Sequence, residues 1–203
     1  QQLLQVAPAA YRTQINDLLL TALTLAVSQW TTRDDVVIQL ESHGRESLFD
    51  DIDLTRTVGW FTSLHPVKLT AHQDLGEAIK QVKEQLRAVP EKGIGFGVLR
   101  YLGDAQTRER LGALAVPRIT FNYLGQFDGS FDSVKGALFV PTGEERGAEK
   151  NRETPLGNWL TINSQVYDNQ LSMGWTFSHE VFPVDVIQNL ADSCLQALEQ
   201  LIA

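Results

Sequence analysis

The run Val36–Leu40 constrains the fold of this chain more than any other segment. It is rich in β-branched residues and almost entirely apolar, which is typical of a strand that is covered on both faces. Amphipathic segments flank it: apolar stripes predict one helix over about 9–30 and another over about 73–88. Such a chain buries its apolar faces by stacking helices on a sheet.

The remaining segments alternate between strand and helix patterns without the regular order of a doubly wound sheet. An extended segment over 58–69 contains Pro66, which is typical of an edge strand. Further elements are predicted at 119–124 (strand), 158–167 and 170–178 (a hairpin turning at Asp168-Asn169), and from Pro183 onward (a last helix with an apolar stripe), with a loop over 141–157. We therefore predict the α/β class, with an open mixed β-sheet and helices packed on one face.

Composition narrows the function classes. The 203 residues are 43% hydrophobic and 21% charged, which is typical of a globular protein and excludes a disordered chain. The formal charge of −8 disfavours nucleic acids and anionic membrane surfaces as partners. With Cys194 as its one cysteine, the chain can form no internal disulfide and offers no zinc-ligand spacing. We expect a cytoplasmic protein with no metal site.

The ends of the sequence suggest a piece of something longer. The chain starts at Gln1 with neither an initiator methionine nor a signal peptide, and its one methionine is Met173. We expect that it belongs to a larger protein.

The segment Glu41–Glu46 is dense in ionisable side chains and follows the predicted strand. A carboxylate at a strand end that opens on a cleft is partly buried, which raises its pKa toward the range of a general acid or base. The alternative is structural: Arg45 could form an ion pair with Glu41 or Glu46 and only hold the loop.

Aromatic and amide side chains supply other candidates. Trp60 and Phe61, next to Gly59, could be core residues or could wall an apolar tunnel. Asn122 and Tyr123 are consecutive in a predicted strand, so we expect only one of them to face a given cavity.

The glycine run Gly93–Gly97 does not predict a nucleotide site, because it follows a helix rather than a strand. We expect Gly95 and its neighbours to permit positive φ or close backbone approach. His65, His72 and His179 are predicted to be structural or at the surface, and Cys194 to lie in the core.

Five segments, together and in this order, resemble the signature motifs of the epimerization domains of nonribosomal peptide synthetases. They are Asp17–Ala22, Glu41–Glu46, Arg56–Pro66, Pro90–Gly97 and Phe121–Asp128. Condensation domains share the fold but do not usually carry this set. The resemblance implies one lobe of a chloramphenicol-acetyltransferase-like fold, in which two lobes form a V around a tunnel. No His-His pair occurs in the chain, so the HHxxxDG motif of the N-terminal lobe is missing and residues 1–203 are expected to be the C-terminal lobe.

The resemblance implies an activity, inversion at Cα of an aminoacyl or peptidyl thioester that a carrier domain presents on its phosphopantetheine arm. No cofactor is expected to bind this chain directly, and the expected partners are the carrier domain and the missing lobe. By similarity, Glu41 is the acid/base with Glu46 as its rival, and Tyr123 is the proton donor or enolate stabiliser.

The other residues carried over by resemblance have supporting roles. Asn122 would position the substrate, and Trp60 and Phe61 would shape the tunnel. His43 and Arg45, with Gly59 and Gly95, would hold loop structure. Ser42, Phe96 and the Leu64-His65 pair depart from the usual family residues, which affects the expected loop shape more than the chemistry.

Two alternatives to a catalytic half-site stay open. The lobe could be a non-catalytic module that binds the other lobe and the carrier, or a condensation-type acyltransferase lobe. We also expect an exposed apolar face centred on Trp60, Phe61 and Tyr123, with weak self-association there or the 141–157 loop lying across it.

Overall fold

The computed structural model describes residues 11–127, 144, 147, 151 and 153–203. The elements within these residues, numbered in chain order, are α1 (Ile15–Thr31), β1 (Asp35–Ser42), β2 (Ser63–Thr70), α2 (Leu75–Arg87), a 3-10 turn (Pro90–Gly93), α3 (Gly95–Leu102), α4 (Ala105–Gly112), β3 (Ile119–Gln126), β4 (Leu160–Tyr167), β5 (Gln170–Phe177) and α5 (Val184–Ile202). Most of the predicted 141–157 loop lies outside the described residues. The expectation that this loop lies across the apolar face therefore falls outside them as well.

The strands form one five-stranded sheet in the order β2-β1-β3-β4-β5. The β1–β3 and β3–β4 pairs are parallel, and the β1–β2 and β4–β5 pairs are antiparallel. This confirms the predicted open mixed sheet. Pro66 lies in the edge strand β2, as expected for a residue that cannot donate to the ladder. Asp168 and Asn169 turn the β4–β5 hairpin with φ of 50° and 57°, the left-handed values that a two-residue hairpin turn needs.

The core lies on one face of this sheet. In β1, Val36, Ile38 and Leu40 are buried in a single cluster with residues of α1, α2 and α5, while Val37 is 42% exposed on the other face. The prediction that this strand is covered on both faces was therefore wrong. The apolar run fixes one buried face, because alternate side chains point in opposite directions, but Val37 meets solvent in spite of its type.

The last helix follows its sequence pattern closely. Five residues spaced along α5 are buried: Ile187, Leu190, Cys194, Leu198 and Leu201. Burial raises the pKa of the Cys194 thiol to about 12, so this cysteine is an inert core side chain, as predicted. None of the helices in the described part of the chain has the length and apolar character needed to cross a membrane.

Helices α3 and α4 were not predicted. The glycines at 95 and 97 hid α3, because glycine is a poor helix former. The start of α4 did carry a signal: the Asp104 carboxylate accepts a hydrogen bond from the Thr107 backbone N–H at 2.8 Å, as an N-cap does.

In the segment Gly93–Gly97, the structure requires glycine at position 93 but not at position 95. Gly93 has φ of 82°, and a Cβ built on it would overlap the His65 ring. Gly95 lies in α3 with open space around it and no positive φ, so the expected structural need for glycine there was wrong.

We expect Gly93→Ala to lower the free energy of unfolding by roughly 1–3 kcal/mol, because it combines a left-handed backbone with a clash on His65. Gly97→Ala is the matched control, since it lies in α3 with nothing within 4 Å. It should raise stability by about 0.5–1 kcal/mol through helix propensity. Urea unfolding of both variants measures the two changes in the free energy of unfolding, which should have opposite signs. An unchanged free energy of unfolding in Gly93→Ala would contradict the packing of this turn.

Candidate functional site

The candidate site forms where two neighbouring parallel strands end. Glu41 of β1 is directly opposite Asn122 of β3 in the register of the sheet. Because parallel strands end at the same edge of a sheet, the two side chains are held next to each other there. Polar side chains at such an edge are well placed to meet a ligand.

A cleft of about 580 Å³ opens at this edge. Its lining includes Glu41, Glu46, Trp60, Asn122 and Tyr123. Both Asn122 and Tyr123 line the cleft, together with three of their neighbours in β3, so the expectation that only one of the two side chains faces a given cavity stays a prediction. The pairing of β3 with β4 becomes irregular after Tyr123.

Glu41 and Tyr123 have the electrostatic environment of proton-handling groups. Partial burial raises the pKa of the Glu41 carboxyl above its ordinary value, and within the described residues no hydrogen bond or ion pair engages that carboxyl. Burial also raises the pKa of the Tyr123 phenol, so its hydroxyl keeps its proton at neutral pH and can donate it.

The Glu46 carboxylate is engaged by two partners. Its side chain is 10% exposed, its Oε2 lies 2.6 Å from Lys92 Nζ, and its Oε1 lies 3.4 Å from His43 Nε2. The expected ion pair of Arg45 with Glu41 or Glu46 does not occur among the described residues. Glu46 is held instead by Lys92, a residue that sequence reasoning passed over because the two are far apart in the chain.

Arg45 connects the beginning of the loop between β1 and β2, residues 43–62 (the polar loop), to its later part. Its guanidinium donates to the carbonyl oxygens of Leu54 at 3.0 Å and Gly59 at 3.2 Å, and it lies 4.5 Å from the centre of the Phe61 ring. The Arg45 backbone N–H donates to His43 Nδ1 at 2.9 Å. These contacts hold the loop together, which is the role expected of Arg45 and His43.

Two glycines fit the same loop. Gly44 has φ of 64°, and a Cβ there would overlap the Phe61 carbonyl, a requirement that the sequence analysis missed. A Cβ on Gly59 would lie 2.8 Å from Phe61 Cε2, so its predicted structural role is compatible with the packing.

The two aromatic candidates occupy different places. Trp60 is 89% exposed and lines the cleft. Phe61 is 40% exposed, lies beneath Arg45 and lines a separate cavity next to α3. The predicted apolar face is therefore exposed at Trp60 but half-buried at Tyr123.

Of the four histidines, His43 alone lines the cleft. His65 is buried against Gly93, and burial lowers its pKa. His72 and His179 are exposed, as predicted. In the part of the chain that the structure describes, no three His, Cys, Asp or Glu residues are grouped so that they could hold a metal ion.

Comparison with known proteins identifies the family. The family model described as "Condensation domain" matches residues 1–203. The chain is 48% identical over 206 residues to one component of the linear gramicidin synthase of Brevibacillus parabrevis, and 40% identical over 212 residues to gramicidin S synthase 1 of Brevibacillus brevis. These alignments cover 99% and 100% of this chain but 4% and 19% of the relatives.

Solved structures agree on the fold. The epimerization domain from the third module of tyrocidine synthetase B superimposes with a TM-score of 0.89 at 40% identity, over 99% of this chain and 44% of that one. The first condensation domain of the CDA synthetase superimposes with a TM-score of 0.63 at 15% identity, over 100% of this chain and 42% of that one, which shows the fold alone. The predicted fold class and the resemblance to epimerization domains are thereby confirmed.

We expect Glu41→Gln to raise the free energy of unfolding at pH 7, because folding partly buries a carboxylate that has no partner among the described residues. The folded-state pKa is raised, so the unfavourable term exists while the native carboxyl is ionised and disappears below about pH 4.5. Urea unfolding at several pH values should show a gain that shrinks as the pH falls. The exposed Glu109→Gln of α4 is the control, and a loss of stability at pH 7 in Glu41→Gln alone would contradict this environment.

Proposed function

Because the chain belongs to the condensation-domain family, we propose that it forms the C-terminal lobe of an epimerization domain in a nonribosomal peptide synthetase. The observation that carries this proposal is the pairing of Glu41 with Asn122 at the sheet edge, beside Tyr123 in one cleft. The likeness at 40% identity to an epimerization domain supports it, whereas the condensation-domain structure compared above shares the fold at much lower identity.

The proposed reaction inverts the configuration at Cα of an aminoacyl or peptidyl group held as a thioester on the phosphopantetheine arm of a carrier domain. The thioester carbonyl acidifies the Cα proton, a base removes it, and the enolate takes up a proton on the other face. A group on each face makes this possible. Glu41 would serve one face, and a group of the N-terminal lobe would serve the other.

Glu41 rather than Glu46 is proposed as the working carboxylate. Both line the cleft, but the two oxygens of Glu46 already face Lys92 and His43. The Glu41 carboxyl is unengaged among the described residues, and its raised pKa brings it closer to the pH at which it must both accept and release a proton.

Tyr123 and Asn122 would act on the substrate carbonyl. A protonated phenol can donate a hydrogen bond to the oxygen on which negative charge develops in the enolate. Asn122 lies next to Glu41 in the register, so its amide can hold the thioester or the amino group while the proton moves.

The lobe is proposed to work only with partners. The cleft is open at the exposed Trp60, and one side of a site cannot exclude water or place a substrate between two proton-handling groups. The carrier domain and the N-terminal lobe would complete it. The isolated chain should therefore be inactive or nearly so. Weak self-association through the apolar face centred on Trp60, Phe61 and Tyr123 stays a prediction.

The test is Cα hydrogen–deuterium exchange, with chiral analysis of the product, on an aminoacyl-loaded carrier domain mixed with the complete two-lobed domain. We expect Glu41→Gln to slow exchange by about 10²–10⁴-fold, since it removes a general acid/base without changing the side-chain shape. Tyr123→Phe should slow it by about 10- to 100-fold through loss of one hydrogen bond to the enolate.

The matched control is Glu109→Gln, an equal change on the exposed helix α4, which should keep the wild-type rate. Full exchange in Glu41→Gln would remove the catalytic role and leave a docking module. Peptide-bond formation with a second loaded carrier, without Cα exchange in the wild type, would establish the condensation-type alternative.

A further inference from the structure

The turn between α2 and α3 holds an unusual backbone conformation. Three consecutive residues have left-handed φ values: 44° at Glu91, 50° at Lys92 and 82° at Gly93. Only the glycine adopts such a conformation without cost. A strained backbone of this kind persists where surrounding contacts enforce it, and it is concentrated at functional sites.

Two contacts hold this turn in its left-handed conformation and place the Lys92 side chain. Gly93 packs directly on the ring of His65, which is buried in the edge strand β2. From this fixed point the Lys92 side chain reaches Glu46, with Nζ 2.6 Å from Oε2. The turn therefore connects the sheet edge to the polar loop that follows β1.

The exposure of the two partners argues against a role in stability alone. The Lys92 side chain is 74% exposed while that of Glu46 is 10% exposed. An ion pair whose cation is so exposed adds little to folding free energy. What it does fix is the place of a nearly buried carboxylate in the lining of the cleft.

We propose that Lys92 is a positioning residue for the epimerization reaction, acting through Glu46; this inference rests on the proposed function. By holding Glu46, Lys92 fixes the start of the loop whose other end carries Trp60 at the cleft. It also neutralises the second carboxylate of the cleft, so that Glu41 is the carboxylate without a counter-charge among the described lining residues.

Neutralising the Glu46 carboxylate matters because the reaction forms an anionic intermediate. The enolate is an anion, and an unpaired Glu46 in the same cleft would repel it. Removing the Lys92 ammonium should therefore harm the step that forms the enolate more than it harms binding of the loaded carrier.

The test uses the complete two-lobed domain and an aminoacyl-loaded carrier, with Lys92→Gln, Glu46→Gln, the double variant and Lys92→Arg. We expect Lys92→Gln to lower kcat for Cα exchange by about 10- to 100-fold while KM for the loaded carrier stays within about twofold. Glu46→Gln breaks the same contact but leaves no unpaired carboxylate in the cleft, so it should lower kcat less. The double variant should be no slower than the slower single variant, because both changes remove one interaction. Lys92→Arg, which keeps the charge, should recover most of the rate.

Lys80→Gln is the matched control. Lys80 forms an ion pair of the same kind with Glu77 at 2.7 Å on α2, with both side chains more than half exposed. It should change neither kcat nor KM. Thermal unfolding of every variant separates a loss of folded protein from a loss of rate.

Distinct results would overturn the proposal. An unchanged kcat in Lys92→Gln, with or without a lower melting temperature, leaves only a structural ion pair. A raised KM with unchanged kcat indicates direct contact of Lys92 with the carrier or substrate, and multiplying losses in the double variant indicate independent roles. An active wild type is required for each of these readings, and a wild type without exchange defeats the proposed function itself.

Discussion

The parallel pairing of β1 with β3 is the constraint on which the site depends. It places Glu41 opposite Asn122 and brings Tyr123 to the same edge of the sheet, although β1 and β3 are separated by β2 and three helices along the chain. The pairing is fixed by burial, because Leu40 and Phe121, the partners one step earlier, both lie in the core. A slip of one residue would turn the core side chains outward, so the hydrophobic effect that stabilises the sheet also sets the geometry of the cleft.

A second constraint holds the polar loop after β1 in place. This loop has no regular structure. Its shape comes from hydrogen bonds of Arg45, near its beginning, to the backbone carbonyls of Leu54 and Gly59 farther along it, and from the contact of Glu46 with Lys92. Backbone carbonyls left without partners would otherwise need water. The charged residues near the cleft thus divide into groups that build the loop and one group, Glu41, that is left without a counter-charge among the described residues.

The sequence predicts those parts of the molecule that local pattern determines. The stripe of α5 and the turn at Asp168 and Asn169 follow from periodicity and backbone preference, and both are confirmed. The exposure of Val37 could not be predicted, because an apolar run does not reveal what covers its second face. The contact of Lys92 with Glu46 joins residues 46 positions apart through a left-handed turn, and neither propensity nor spacing signals such a contact.

At Glu41 the demands of stability and of the proposed function oppose each other. A partly buried carboxylate without a partner among the described residues is unfavourable for folding, and Lys92, which lines the same cleft, contacts Glu46 instead. Pairing Glu41 with Lys92 would stabilise the ionised form of Glu41 and lower its capacity to exchange a proton. The folded core of α1, α2, α5 and the sheet supplies enough burial elsewhere to tolerate that cost. The lack of a partner for Glu41 among the described residues is therefore better explained by the proton transfer proposed for this cleft than by the folding of this chain.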